Sequence, residues 1–198
     1  EEREGDPARR WFFEAFVPDQ IGNVPWEDMP TDELAANPRH WELAPGQAWH
    51  GFNKVAPGYA ITDPNKLILL TPGFDGASGR YAEWGIPAPV VSQYLRENQV
   101  VPEKNDLNSM LFLLTPGVES SKAGTLLSSL VAFKRFFDDN AKLDDAIGEF
   151  VRRRPQRYSG VRLRDLCGDM HAFFRDSGVS TLQRAQFAPQ HLPTPAMA

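Results

Sequence analysis

An α/β (α+β) fold, with a small mixed or antiparallel sheet covered by helices, is what three features of the sequence predict. Nine of the seventeen prolines fall from Pro7 to Pro72, whereas Ser120–Arg154 has none. Lys66–Thr71 (KLILLT) is a near-continuous apolar run closed by Pro72-Gly73, the pattern of a buried strand. Ala123, Leu126, Leu127, Leu130, Val131, Lys134 and Phe137 recur at helical spacing, a stripe broken once by the lysine. Proline removes a backbone donor and fixes φ, so the first half should be short strands and turns and the proline-free part helical.

The elements follow in order. Trp11–Val17 (WFFEAFV) is aromatic-rich and stops at Pro18, which predicts a strand. Val24–Gly46 reads as loop with a short helix at Thr31–Ala36, where Thr31 can cap. After the Lys66–Thr71 strand, Phe74–Gly85 carries Gly76, Gly79 and Gly85 and reads as a turn or loop. Pro87 suits the first turn of a helix over Ala88–Asn98, whose stripe is Val90, Val91, Tyr94 and Leu95. Val100–Val101 and Met110–Leu114 read as two short strands joined by the loop Pro102–Asn108. Ser120 or Ser121 can cap the next helix. Leu143–Arg153 and Leu163–Phe174 read as further helices, Gly178 as a left-handed stop, and Thr181–Phe187 as a short final helix. The last ten residues hold three prolines and read as a connection leaving the domain.

The chain has 198 residues, room for one domain or one domain and a fragment. Its 21 basic and 26 acidic residues give a net charge of −5, which argues against a general nucleic-acid binder. Hydrophobic residues at 41% are ordinary for a globular chain, which argues against disorder. The longest apolar runs, Leu67–Leu70 and Met110–Leu114, are far short of the ~20 residues that span a bilayer. The single Cys167 excludes an internal disulfide and a zinc site of several thiolates, and fits a reducing, cytoplasmic compartment. The chain opens on Glu1 rather than Met, in a charged stretch with no signal-peptide core, and reads as an internal piece of a longer protein or a processed chain.

Chemistry-bearing patterns are few. His40, His50, His171 and His191 show no zinc-hydrolase spacing. Cys167 and His171 share a helix face at i, i+4, which suits a nucleophile and its base. The weightier reading makes Cys167 core and His171 a half-buried edge, since cysteine is among the most buried residue types. Gly73–Gly79 follows a strand as a phosphate cradle would, yet lacks the glycine spacing and reads better as a plain loop. Arg152, Arg153 and Arg154 close a helix and suit its terminal carbonyls and dipole better than an anion site. The loop Glu103–Asn108 packs charged and polar groups between two apolar strands. It is either a solvated hairpin loop or a binding loop at a strand end.

Several segments together resemble one family. They are Trp49-His-Gly-Phe52, Asp63-Pro-Asn-Lys-Leu-Ile-Leu-Leu-Thr-Pro-Gly73, Glu83-Trp-Gly-Ile-Pro87, Tyr94-Leu-Arg-Glu-Asn98, the run from Val101 to Pro116, and Phe133-Lys-Arg135. They resemble the bacterial ornithine/lysine/arginine decarboxylases, large pyridoxal-phosphate (PLP) enzymes of the aspartate-aminotransferase fold type, from about Trp11 to the C-terminus. The resemblance implies that residues 1–50 end the PLP-binding large subdomain and join it to the next unit. Residues 51–190 are then the small α/β subdomain, and 191–198 begin the linker to a C-terminal domain. It implies a lyase of polyamine metabolism or the acid-stress response, working as a homodimer that stacks into rings such as decamers.

The family's cofactor lysine follows a histidine. Here Lys54, Lys66, Lys104, Lys122, Lys134 and Lys142 follow Asn, Asn, Glu, Ser, Phe and Ala. The resemblance therefore carries over no catalytic and no cofactor-binding residue, and no metal. It implies PLP only in the intact enzyme and an inactive chain on its own. Ornithine-type loops of the family read like Pro-Glu-Lys-Cys-Asp-Leu-Asn-Ser, lysine-type loops like Glu-Lys-Thr-Gly-Pro-Tyr-Asn, and arginine-type loops lack the Glu-Lys pair. Pro102–Ser109 is nearest the ornithine type, as is the helix from Leu163 to His171. Ornithine is thus the first expected substrate and lysine the next, with Glu103, Asp106 and Asn108 as substrate-binding candidates, a carboxylate meeting the distal ammonium. The alternative is a non-catalytic binding or assembly module that keeps the same small-subdomain fold.

Overall fold

The computed structural model describes residues 13–52 and 54–186. Its first part is irregular, as the prolines require. β1 (Glu14–Ala15) is followed by a two-strand ribbon of β2 (Gln20–Ile21) and β3 (Val24–Pro25), then α1 (Thr31–Ala36). β4 (Lys66–Leu70) comes next, then a hairpin of β5 (Phe74–Asp75) and β6 (Arg80–Tyr81), and α2 (Ala88–Glu97). β7 (Lys104–Asn105) and β8 (Ser109–Leu113) lead into the long helix α3 (Ser120–Asp138). Five helices complete the described residues: α4 (Leu143–Ala146), α5 (Gly148–Arg153), α6 (Pro155–Tyr158), α7 (Leu163–Asp176) and α8 (Val179–Gln186). The expected strand's Trp11 and Phe12, the expected helix end at Phe187, and His191 and the linker 191–198 lie outside the described residues.

The main sheet has the order β1-β4-β8-β7, and every pairing in it is antiparallel. β4 and β8 pair over their full length, Lys66 opposite Leu113 through Leu70 opposite Ser109. Side chains alternate along a strand, so the opposed pairs Leu69–Met110 and Leu67–Phe112 share the face that α2 and α3 cover. There Met110, Val91, Leu95 and Phe133 are fully enclosed. Tyr94 meets Phe133 edge-on at 5.4 Å and Phe13 meets it at 6.1 Å. The core is therefore centred on Phe133, one position off the stripe read from the sequence. Along the first half of α3, Ala123 and Leu127 stay exposed and line an apolar groove of about 720 Å³ against Leu67, Phe112 and Leu126.

The two central strands and the helices Thr31–Ala36, α2, α3 and α7 stand where the sequence placed them; other boundaries moved for identifiable reasons. Val100–Val101 is not a strand. Pro102 has no N–H to donate, and the ladder begins only where the Glu103 amide donates to the Leu111 carbonyl at 2.8 Å. β7 therefore falls inside the stretch expected to be loop. Phe74–Gly85, also expected to be loop, holds the β5–β6 hairpin. Thr31 does not cap α1, because Pro30 occupies the cap position. Neither Ser120 nor Ser121 caps α3; Glu119 stands there and accepts from the Ser121 hydroxyl at 3.3 Å.

The expected helix Leu143–Arg153 is broken at Ile147, whose φ of −133° leaves the helical region. Glu97, at the end of α2, explains the break. Its carboxylate accepts from the Glu149 amide at 3.0 Å and the Phe150 amide at 2.8 Å. Those donors would otherwise continue the helix, and a carboxylate at a helix start also meets the positive end of its dipole. At the other end of the bundle Arg164 satisfies the last carbonyls of α3. Its Nε donates to the Phe137 carbonyl at 2.7 Å and its Nη2 to that of Asp138. Lys134, the odd member of the α3 stripe, is buried and ion-paired with Asp138 one turn on.

Two stability effects follow. Glu97→Ala strips two amides of their acceptor and should cost about 1–2 kcal/mol; urea denaturation should show a lower midpoint with an unchanged slope. Gln99 follows α2 with φ +61°, a conformation that penalises a side chain. Gln99→Gly should therefore raise the midpoint, by about 0.5 kcal/mol net of the extra chain entropy, while Gln99→Val should lower it.

Candidate functional site

The turn from Glu103 to Ser109 is tied down one residue after another. The Asp106 amide donates to the Ser109 carbonyl at 2.9 Å. The Leu107 carbonyl accepts from the Ala88 amide at 2.8 Å, which fixes the turn to the start of α2. The Asn108 carbonyl accepts twice from Thr71, from its amide at 3.0 Å and its hydroxyl at 3.2 Å. Thr71 is buried and follows β4 directly. The sheet and α2 thus hold both ends of the turn.

The three candidate residues are not equivalent. Glu103 and Asp106 are exposed carboxylates flanking the two residues of β7, and no hydrogen bond joins them. Asp106 accepts from Gln183 of α8 at 3.4 Å. Asn108 is half-buried and turned inward, donating from Nδ2 to the Tyr81 hydroxyl at 3.1 Å. Its amide is spent on the protein, so the structure does not group it with the two carboxylates. Asn105 is exposed, and its side chain accepts from the Ser92 hydroxyl at 3.5 Å.

Tyr81 leads to the histidine that sequence reasoning misplaced. His171 is 2% exposed, not a half-buried edge. Its Nε2 donates to the Ala82 carbonyl at 3.0 Å, and its ring meets that of Tyr81 edge-on at 5.4 Å. It is wedged between two glycines. A Cβ on Gly85 would stand 2.4 Å from the ring, and one on Gly73, whose φ is +105°, 2.6 Å from it. His171 is a structural wedge that closes the segment after β4 onto α7. Cys167 is also core, and burial pushes its thiol up to about 12. A thiol held protonated is no nucleophile at neutral pH, so the pair is not a catalytic dyad.

The glycine loop is not a phosphate cradle either. Asp75 takes up its donors: the carboxylate accepts from the Ala77 amide at 2.9 Å, the Ser78 amide at 3.2 Å and the Ser78 hydroxyl. These bonds, the Ser78 hydroxyl first, and nearby Arg80 hold its carboxyl below the usual range. On the far side, Gly51 packs against Ala77, where a Cβ would come within 2.6 Å. His50 staples the loop that carries it. Its Nδ1 accepts from the Phe52 amide at 2.9 Å, so Nε2 bears the hydrogen and donates to the Ala44 carbonyl at 3.0 Å. Trp49 packs on Phe16, the ring centroids 4.8 Å apart and the planes tilted by 59°.

Between this loop and the hairpin lies a cleft of about 580 Å³, lined by Glu14, Asp19, Trp49, Asp75, Arg80 and Tyr81 among others. Among the described residues its one lining cation is Arg80, and no lysine lines it. With no amine to bond an aldehyde and the glycine-loop amides engaged, the described residues do not fit PLP by themselves. The arginine run is exposed at the end of α5, with Arg152 3.7 Å from Glu149. Among the described residues no three acidic, histidine or cysteine side chains cluster as a metal site would need, and no helix is long and apolar enough to cross a membrane.

Three results should distinguish these roles. Gly85→Ala should destabilise by about 1–3 kcal/mol, as overpacking does, with the loss read by thermal or urea unfolding. Cys167 should resist iodoacetamide in the native state and react only on unfolding. The Asp75 turn is supported by bonds to the charged carboxylate, so that support is full above the ordinary carboxylate pKa of about 4. It is lost as pH falls through the lowered value, and the stability difference between wild type and Asp75→Asn should shrink towards zero there.

Similarity to known proteins agrees with this geometry. Residues 3–122 match the family described as Orn/Lys/Arg decarboxylase, major domain. The chain is 39% identical over 197 residues to the constitutive ornithine decarboxylase of Escherichia coli (strain K12), covering 100% of this chain and 28% of that protein. It is 37% identical over 187 residues to the lysine decarboxylase LdcA of Pseudomonas aeruginosa, covering 94% of this chain and 23% of that one. The solved structure of lysine decarboxylase A from Pseudomonas aeruginosa superposes with a TM-score of 0.80 at 35% identity, over 98% of this chain and 24% of that chain. The chain thus spans about a quarter of the length of the curated relatives it matches. On sequence and fold together, it belongs to the ornithine/lysine/arginine decarboxylase family.

Proposed function

We propose that this chain is the small-subdomain segment of a longer PLP-dependent decarboxylase of basic amino acids, with ornithine the preferred substrate and lysine the next. In this reading residues 1–50 end the large subdomain, 51–190 are the small one, and 191–198 lead into a C-terminal domain. The observation that carries the reading is the turn Glu103–Ser109. Its sequence is nearest the ornithine type, and it presents two exposed carboxylates and is held by Thr71 and Ala88 at the end of the sheet. A carboxylate there meets the distal ammonium of a diamino acid, and the ion pair strengthens as the rest of the polypeptide excludes water.

The cofactor's amine partner comes from residues outside these 198, so the chain alone is inactive. When bound there, PLP supplies the electron sink for loss of carbon dioxide. The open groove beside α3 is where those outside residues pack, since Leu127 and Val101 are 57% and 67% exposed. The intact enzyme works in the cytoplasm as a homodimer or a larger ring.

The test uses the longest polypeptide that carries these residues, incubated with PLP and reduced with borohydride. A single pyridoxyl adduct by intact mass, with faster carbon dioxide release from ornithine than from lysine, is the expected result. No adduct and no release from either amino acid would overturn it in favour of a non-catalytic module of the same fold. In the active polypeptide Glu103→Gln or Asp106→Asn should raise KM for ornithine by about 10–100-fold, the value of a charge-assisted hydrogen bond. Unchanged KM for every diamino acid in both variants would remove the turn from the substrate site.

A further inference from the structure

Ornithine and lysine differ by one methylene, and a pocket discriminates such pairs by about 10–200-fold. That margin depends on where the carboxylates of the turn stand, since a small misplacement of a contacting group loses it. Among the described residues, besides a 3.5 Å contact of the Ser92 hydroxyl with Asn105, three side-chain contacts reach this turn from other elements, and they differ in quality. Gln183 to Asp106 is long, at 3.4 Å, and both residues belong to the accessible rim. The hydroxyl of buried Thr71 grips only the Asn108 carbonyl, at 3.2 Å. The third contact, Asn108 Nδ2 to the Tyr81 hydroxyl at 3.1 Å, joins the turn to a partly buried ring that two other rings pack against. Tyr81 packs on Phe74 at 4.8 Å and on the edge of His171 at 5.4 Å. His171 is in turn locked between Gly73 and Gly85.

We propose that Tyr81 and Asn108 are a positioning pair: they transmit the fixed place of the His171 wedge to the Glu103–Asn108 turn and so set how well the site tells ornithine from lysine. The pair touches no reacting atom. The proposal rests on the reading of this turn as the contact for the substrate's distal ammonium. It assigns Asn108 a different task from the substrate contact its sequence position suggests, and it brings in Tyr81, which lies 27 residues away.

Tyr81→Phe is the test, because it removes one oxygen and keeps the ring that packs on Phe74 and His171. In the full-length enzyme it should raise KM for ornithine, change kcat by less than about twofold, and lower the ornithine-to-lysine ratio of kcat/KM by about tenfold. Hydrogen exchange at the Asp106 amide should quicken while the melting temperature stays within a degree or so of wild type. Asn108→Ala should do the same, and should add nothing in the Tyr81→Phe background. Asn108→Asp, which restores a partner for the hydroxyl, should recover most of the ratio. If Glu103→Gln or Asp106→Asn raises KM but Tyr81→Phe leaves the ratio unchanged, the positioning role is overturned and the substrate turn stands. If none of these variants moves KM, the substrate turn itself is wrong and the positioning proposal falls with it.

Discussion

The pairing of β4 with β8 is the constraint on which everything else rests. Both strands are short and apolar, and their five-residue register sets Leu69 beside Met110 and Leu67 beside Phe112. A slip of one residue would send that set to the open face and leave α2 and α3 with nothing to cover. The same register decides where each strand ends. β4 stops at Leu70, and Thr71 is then in place to take hold of the Asn108 carbonyl at the start of β8. The turn that carries Glu103 and Asp106 is therefore a consequence of core packing.

A second layer of order is polar and lies at element ends. Glu97 divides α4 from α5, Arg164 closes α3, and Asp75 winds the β5–β6 hairpin. In each case one charged side chain satisfies backbone groups that a helix or turn leaves over. His50 and His171 do the same from within, as ring nitrogens bonded to main chain. These contacts turn a small antiparallel sheet with helices on one face into a platform of fixed shape. The sheet's central strands are only five residues long, so that shape owes as much to the stapled loops as to the strands.

The family to which the chain belongs uses this platform within much longer proteins, of which these residues match about a quarter. Two surface features stand open among the described residues. The stripe on α3 runs on past the end of the core, so half of it borders an open groove. The cleft beside Tyr81 is lined by no lysine among the described residues.

Local pattern was enough for the central strands, α2, α3, α7, the short helix at Thr31–Ala36 and the α/β (α+β) class, while the antiparallel pairing of the sheet came from the structure. Each of these depends on hydrophobic period or on proline, which act over a few residues. The acidic turn and its likeness to the ornithine type were legible for the same reason, as a contiguous segment. What the sequence could not decide was any matter settled between residues far apart along the chain. Ile147 breaks a helix because Glu97, from another helix, captures its amides. β7 lies past Pro102 because Leu111 offers the carbonyl. Cys167 and His171 share a helix face as a dyad would, yet one is shut in the core and the other is a wedge between Gly73 and Gly85. Asn108 turns away from solvent because Tyr81 waits behind it. Period and propensity are properties of neighbours in sequence; which polar group finds which partner is a property of the packed whole, and only the tertiary structure contains it.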